Sequence, residues 1–245
     1  MSTMKALSLG TLLPFCFALA QSSGATGSLQ GSVTDPQGLP LAGAVVRYQS
    51  VLPPVTARIG SALSPVANVV SGSVITDANG RFAVAALPAA WQMLCASVPS
   101  APYLDPCIWG QPAGVTVSAG ATANQTLVLT EGVYLNVRVN DPMGLLPQVV
   151  DGPWTPRKLL VGVVYGTGAY QGAQNTAVDS AGRNYRLIVP AGNPFSLWLY
   201  STDVALADAS GAAVAAPAGG VPFQASPGQN QAFTFTVTGP ASNVQ

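Results

Sequence analysis

The chain has 245 residues, nine of them basic, nine acidic and none histidine, and charged residues make up 7% of it, against about a quarter of an ordinary soluble domain. The missing histidine excludes a Ser-His-Asp triad, a histidine-ligated zinc and an imidazole base. The composition therefore predicts no enzyme, no cofactor and no metal site. The few basic residues are scattered, which predicts no nucleic-acid partner.

The N-terminus has the features of a secretory signal peptide. Lys5 precedes an apolar run, and Ala18-Leu19-Ala20 offers a small-residue cleavage site. The run is too short to span a bilayer, and Cys16 lacks the small preceding residues of a lipoprotein signal. We therefore expect residues 1–20 to be removed, no membrane insertion of the remainder, and a secreted product, periplasmic or extracellular.

Two groups of turn-forming residues occur once in each half of the chain, in the same order. They are Val33-Thr34-Asp35-Pro36-Gln37-Gly38-Leu39 with Val139-Asn140-Asp141-Pro142-Met143-Gly144-Leu145, and Asp77-Ala78-Asn79-Gly80-Arg81 with Asp179-Ser180-Ala181-Gly182-Arg183. Matched landmarks at matched spacing indicate one β-rich unit used twice. We place domains at residues 21–131 and 132–240, with a tail at 241–245 and the boundary near Glu131-Gly132.

Alternation of apolar and polar side chains predicts strands and almost no helix after the signal. The clearest strand is Val133–Asn140, and its counterpart in the first half lies at 29–34. Further strands are predicted at 44–50, 69–76, 81–86, 93–98, 124–130, 159–165, 185–189, 195–201 and 233–238. Residues 205–220, rich in small side chains, are either a loop or a hairpin.

The repeated aspartates are predicted to form turns. In the segment from Asp35 to Gly38, proline presets φ and aspartate accepts from downstream amides. Asp77 and Asp179 are expected to begin hairpin turns, with Gly80 and Gly182 in the left-handed conformation. The segment that starts at Asp77 also resembles part of a calcium loop, but the remaining ligands and the closing glutamate are missing.

Removal of the signal leaves two cysteines, Cys95 and Cys107, which an oxidising compartment would join in a disulfide. The loop between them contains Tyr103 and several prolines, and Trp109 follows it. This stapled loop is either a recognition surface or a long connection pinned against the edge of a sandwich.

The segment from Gly31 to Val46 resembles the opening of the carboxypeptidase regulatory-like domain, with its pattern G-x-V-x-D-x-x-G-x-P-x-x-G-A-x-V. Residues 76–82 and Leu87-Pro88 are similar to the T-D-x-x-G-x-F and L-P segments of that family, although Ala90 and Trp91 replace its glycine and tyrosine. The match covers residues 28–98, while the second half keeps only D-P-x-G-L, D-x-x-G-R and V-P.

The resemblance implies an all-β fold of two tandem antiparallel β-sandwich domains of the transthyretin (prealbumin) type. It also implies a non-catalytic accessory module, often grouped with carbohydrate-binding-like folds, and a bacterial source. It carries over no functional residues, because the positions that the family shares are turn and core positions.

Two functions from different classes remain, and the partner is unknown. We favour a structural or protein-interaction role at the cell envelope or outside the cell, because it needs no further site. The alternative is a carbohydrate-binding module for neutral glycans, with Tyr103, Trp109, Trp154 and Tyr170 as candidate stacking residues and Trp198 expected in the core. A row of aromatic rings on one sandwich face would favour glycans, and an unprotected edge strand would favour protein partners.

Overall fold

The protein is described from a computed structural model that covers residues 25–59, 62–110, 112–146, 159–166, 168–214 and 220–241, without the side chains at 51, 53–59 and 62–67. The predicted signal peptide, most of the predicted tail and Trp154 lie outside the described residues. Within them, no helix is long and apolar enough to cross a membrane.

The described chain forms sixteen strands and one single-turn helix. They are β1 (Thr26–Thr34), β2 (Val45–Ile59), β3 (Ala62–Ile75), β4 (Arg81–Pro88), β5 (Trp91–Ser97), α1 (Pro106–Trp109), β6 (Ala113–Thr116), β7 (Thr122–Val128), β8 (Val133–Asn140), β9 (Leu160–Tyr165), β10 (Ala169–Gly172), β11 (Gln174–Asp179), β12 (Gly182–Val189), β13 (Pro194–Tyr200), β14 (Val204–Asp208), β15 (Val221–Gln224) and β16 (Gln231–Pro240).

The first half is a sandwich of two sheets, ordered β4-β1-β7 and β3-β2-β5-β6. The apolar side of each strand faces the other sheet, as period-two alternation requires. Leu29 and Phe82 from the first sheet share one buried cluster with Val46 and Leu94 from the second. This hydrophobic core holds the two sheets together.

The second half repeats this arrangement with sheets ordered β11-β12-β8-β16-β14 and β10-β9-β13-β15. Leu135 and Phe235 share its core with Val163 and Leu197. The all-β prediction is confirmed, with one difference in strand direction. The pairs β1–β7 and β8–β16 are parallel, because the first and last strands of each sandwich lie side by side and the whole unit forms the crossover between them.

The predicted strands all coincide with observed ones, but two of them are much longer than the alternation indicated. β2 and β3 form a hairpin of 15 and 14 residues. Pro53, Pro54 and Pro65 discourage a strand prediction in this region. The prolines in β2 lie where the pairing register shifts, between Leu52 and Val55, and Pro65 lies in an edge strand, where a missing N–H is tolerated.

Five short strands were not predicted from the sequence: β6, β10, β11, β14 and β15. Each has between four and six residues, which gives too few positions for alternation to stand out. Of the two alternatives for residues 205–220, a loop or a hairpin, the described part forms a hairpin. β14 is followed by a turn at Gly211, and Ala213 bridges back to Ala207.

The hairpin prediction is confirmed for Asp179 and wrong for Asp77. The turn at Asp179 joins β11 to β12, which pair directly in one sheet. The turn at Asp77 instead carries the chain from β3 in one sheet to β4 in the other. Both carboxylates accept hydrogen bonds from amides two residues on, so the local sequence signal is the same, and packing of the core decides which sheet the next strand joins. The positive φ predicted for the glycines is observed, at 70° for Gly80 and 149° for Gly182.

Candidate functional site

The predicted disulfide between Cys95 and Cys107 is present, with Cα atoms 5.6 Å apart. Asp105 caps the short helix α1 by accepting from the Cys107 amide at 3.0 Å, and it forms an ion pair with Arg47. The two sulfur atoms and the Asp105 carboxylate lie within 4.8 Å of one another. Because the sulfur atoms are bonded to each other, they offer no thiolate ligand to a metal.

Trp109, which follows the stapled loop, packs on the second sandwich, and the loop itself bonds to the end of the first sandwich. The Trp109 ring lies 4.9 Å from the ring of Tyr165 and 6.0 Å from that of Phe195, at the edge of the second core. The Leu104 amide donates to the Thr130 carbonyl at 2.9 Å. These contacts agree with the expectation of a connection pinned against a sandwich, and they give Trp109 a packing role.

Tyr103 is half-buried in the same loop, where its backbone bridges to Glu131. Burial raises the pKa of its hydroxyl, and the carboxylates of Asp35 and Glu131 raise it further. Tyr103 and Trp109 line one cavity at the junction of the two sandwiches, whereas the Tyr170 ring contacts Trp198 on the second sandwich. A glycan-binding role for these candidate stacking residues remains a prediction.

Most described carboxylates are engaged as turn acceptors. Six aspartates accept a hydrogen bond from the backbone amide two or four residues further along: Asp35, Asp77, Asp105, Asp141, Asp179 and Asp208. A bidentate contact from Arg138 holds the pKa of Asp179 at about 2, with help from the Ala181 amide. The Ser210 hydroxyl lowers the pKa of Asp208. The lowered pKa values favour the ionised forms of Asp179 and Asp208, and all six carboxylates act as acceptors within turns.

Three aromatic rings lie in a row on the outer face of the sheet β10-β9-β13-β15. We call this row of Tyr170, Trp198 and Tyr200 the aromatic strip. The Tyr170 and Trp198 rings are 6.0 Å apart, and Trp198 and Tyr200 are 6.1 Å apart and nearly parallel, at 15°. Tyr170 is 42% exposed, and the other two rings are half-buried.

The strip depends on Gly162, which lies on β9 opposite Trp198. A Cβ at this position would come within 2.6 Å of Cζ of Tyr170, so only glycine lets the tyrosine ring lie across the strand. The strand partners on the same face, Leu160, Val164 and Ser196, carry no charge. The strip is therefore an aromatic surface whose described strand partners are uncharged.

The expectation that Trp198 lies in the core is wrong. Its neighbours Leu197 and Leu199 occupy the core face of β13, so Trp198 and Tyr200 point to the other side. Sequence reasoning also missed Trp91, which is 52% exposed on the first sandwich. Both faces of these strands contain apolar residues, so alternation alone did not indicate which face is outside.

The hairpin of β2 and β3 extends beyond the rest of its sheet. β2 pairs with β3 along its length, from Val45 to Ile59, but with β5 only from Val45 to Gln49. We call the described parts of the hairpin from Ser50 to Ile59 and from Ala62 to Val70 the arm. Among the described residues, β3 has no strand on its other side, so it forms the edge of the sheet.

This edge lacks the usual protection against pairing with another chain. β3 contains no charged residue, and Pro65 is its only proline. From Val66 to Ile75 it offers an uninterrupted row of backbone donors and acceptors. Val69 and Ile75 are 45% and 66% exposed. The structure therefore contains the unprotected edge strand that would favour a protein partner.

No family model and no curated protein matches the chain. Among solved structures it is similar to a Streptococcal ancillary pilin (16% identity, 87% of this chain and 62% of that chain, TM-score 0.41). It is also similar to the Bacillus anthracis TIE protein (13%, 87% and 34%, 0.31) and to the major pilin SpaD from Corynebacterium diphtheriae (11%, 71% and 62%, 0.31).

The chain thus spans 34% of the TIE protein and 62% of each of these pilins. At these TM-scores the likeness decides neither fold nor function, and the fold rests on the strand order and the two cores. The resemblance of residues 28–98 to the carboxypeptidase regulatory-like family remains a prediction.

Proposed function

We propose that the mature chain, after removal of residues 1–20, is a non-catalytic accessory protein of the cell envelope or exterior that binds another protein chain through β3. Its two sandwiches are the domains 21–131 and 132–240. The single observation that supports this role is the long, uncharged and unprotected edge of β3 on the protruding arm.

Strand addition is the mode of binding that such an edge supports. An extended segment of the partner would pair with the backbone of β3 between Val66 and Ile75, and main-chain hydrogen bonds would supply much of the affinity. The exposed side chains of Val69 and Ile75 would add apolar contacts on one face of the joined sheet. No charged group on β3 has to lose its water when the strand is added.

Photocross-linking in the native host tests this function. A photoreactive amino acid is placed at Val69, Ser71 or Ser73 of β3, and at the exposed Leu39 as a control. We expect protein adducts from the β3 positions and none from Leu39, and we expect mass spectrometry to map the cross-linked peptide of the partner to a strand. No adduct from any β3 position would contradict the proposal.

The aromatic strip supports a second function, binding of a neutral saccharide. Aromatic rings stack on the apolar face of a pyranose ring, and the nearly parallel rings of Trp198 and Tyr200 offer such a surface, with the Tyr170 ring tilted at 63° to that of Trp198 beside them. The described strand partners beside the strip carry no charge, which favours a neutral glycan over an acidic one. Ser196 lies two residues before Trp198 on the same face of β13, and its hydroxyl would supply a polar group for sugar hydroxyls.

Calorimetric titration with cellohexaose and chitohexaose tests this second function. We expect binding of a neutral oligosaccharide and none of a galacturonate hexamer, with Tyr170→Ala and Trp198→Phe each weakening the affinity by about fivefold or more. Trp91→Ala is the matched control, because Trp91 is also exposed and its ring also lies over a glycine, Gly114. No binding of either neutral probe, or equal affinity of the strip variants and the parent, would contradict this function.

A further inference from the structure

The open edge of β3 has a nearly palindromic sequence. From Val69 to Ile75 it reads Val-Val-Ser-Gly-Ser-Val-Ile, which is almost the same in both directions about Gly72. Two antiparallel strands that pair with Gly72 opposite Gly72 would place Ser71 opposite Ser73. They would also place Val70 opposite Val74 and Val69 opposite Ile75. An antiparallel pair of identical strands has the two-fold symmetry of the commonest homodimers.

The burial of these residues fits such a pairing on both faces of the sheet. Val69, Ser71, Ser73 and Ile75 are exposed and share one face, whereas Val70, Gly72 and Val74 are half-buried and share the other. Self-pairing would cover each exposed Val69 with the Ile75 side chain of the second copy. Cross-strand contacts between β-branched residues are among the more stabilising pairs in antiparallel sheets.

Gly72 has a defined role at the centre of this pairing. It lies opposite Tyr48 on β2, and a Cβ at Gly72 would come within 2.3 Å of the Tyr48 hydroxyl. The glycine therefore lets the Tyr48 ring reach across β3 toward the open edge. In a symmetric pair, one tyrosine ring from each copy would cover one of the two central glycines on this face.

Electrostatics does not oppose the association. β3 carries no charge, and the whole chain has nine basic and nine acidic groups. Arg47, on the neighbouring strand, is already paired with Asp105. A net charge near zero removes the repulsion that keeps many small domains apart.

We infer that the strand that pairs with β3 belongs to a second copy of this chain, in an antiparallel register centred on Gly72. The inference rests on the proposed function and specifies its partner. The two four-stranded sheets would join into one continuous sheet across a two-fold axis, ordered β6-β5-β2-β3 in one copy and β3-β2-β5-β6 in the other.

Sedimentation equilibrium of the oxidised mature chain, with residues 1–20 removed, tests the partner and the register together. In Val69→Lys with Ile75→Lys, the register places like charges opposite each other at both ends of the interface. In Val69→Glu with Ile75→Lys, it places glutamate opposite lysine at both ends. Leu39→Lys with Met143→Lys is the control, since it adds the same charge as the first variant at exposed apolar positions in the two matching turns.

We expect the parent and the control to form dimers, and the double-lysine variant to dissociate about tenfold or more readily. The glutamate–lysine variant should dimerise more tightly than the double-lysine variant by a similar factor. Equal weakening of both β3 variants would overturn the register. A parent that stays monomeric up to millimolar concentration would overturn the second copy as partner. In that case, adducts to a different protein in the cross-linking experiment would leave the proposed function standing.

Discussion

The two sandwiches share a common core of strands, but the second adds β11 and β14 at the edges of one sheet, and the two halves differ most in the segment that follows β2 and β9. In the first sandwich, β3 runs beside β2 for its full 14 residues and leaves one edge open. In the second, the corresponding segment is divided at Ala173 into β10, which pairs with β9, and β11, which pairs with β12 in the other sheet. One topology therefore produces a long open edge in one half and a strand that changes sheets in the other.

The outer faces of the two sandwiches differ as well. The second presents the aromatic strip, whose three rings contact one another across β9 and β13. Trp91 is the most exposed large apolar ring of the first sandwich, and its ring also lies over a glycine. The duplicated fold is thus a shared scaffold, and each proposed activity belongs to the surface of one half.

The largest expected effect concerns the stapled loop, which only the first sandwich has. Replacing Cys95 and Cys107 together by serine should lower the free energy of unfolding by about 3 kcal/mol, because the unfolded chain gains the freedom that the cross-link removed. Urea denaturation followed by circular dichroism measures this loss. A change below about 1 kcal/mol would show that the loop is held by its other contacts.

A smaller effect on the free energy of unfolding should distinguish Trp109 from Trp91, the two tryptophans of the first half. Trp109→Ala should cost about 2 kcal/mol, since the ring is half-buried against Tyr165 and Phe195 of the second sandwich. Trp91→Ala should cost less than about 0.5 kcal/mol, because its ring is exposed. Calorimetric unfolding compares them, and equal costs would contradict a packing role for Trp109 between the sandwiches.

The matched turns at Asp35 and Asp141 should respond differently to the same change. One oxygen of Asp35 accepts from both the Gln37 and Leu39 amides, at 2.9 and 2.8 Å. Asp141 uses one oxygen for the Leu145 amide and the other for Leu146. Asparagine keeps only one oxygen, so Asp141→Asn should cost about 1–2 kcal/mol and Asp35→Asn less. The order of the two denaturation midpoints measures this, and the reverse order would contradict it.

The smallest effect concerns an ion pair that only the second sandwich has, since Ser32 occupies the place of Arg138 in the first. The pKa of Asp179 is lowered from 3.8 to about 2, so its stabilising contribution is complete above about pH 4 and is lost as the pH falls toward 2. Arg138→Gln should reduce this loss of stability between about pH 4 and 2.

With no histidine, the thermal midpoint should stay flat between about pH 5 and 8. Midpoints measured from pH 2 to 8 check both, and an unchanged acid loss in the variant would contradict the pairing.

Local chemistry made much of the fold predictable. The repeated aspartates form the expected turns because their carboxylates bond amides only a few residues away. Strict alternation in β8 identified its core face, and the cysteine pair identified the staple. These features depend on neighbours in the sequence, or on an even number of thiols in an oxidising compartment.

The candidate surfaces were harder to predict, because they depend on contacts between distant segments. The sequence did not indicate on which face of β13 Trp198 lies, since both faces contain apolar residues. The contact of Tyr170 with Trp198 needs Gly162 on an intervening strand. The open edge of β3 follows from the order of strands in its sheet, and the sequence of a single strand does not reveal that order.

Amide hydrogen exchange, compared between dilute and concentrated oxidised protein, tests most directly whether β3 is the assembly edge. We predict that peptides covering Val66 to Ile75 gain protection at high concentration, whereas peptides of β10 and β15, in the corresponding sheet of the second sandwich, do not change. Exchange of the β3 peptides that is independent of concentration would contradict self-pairing at this edge.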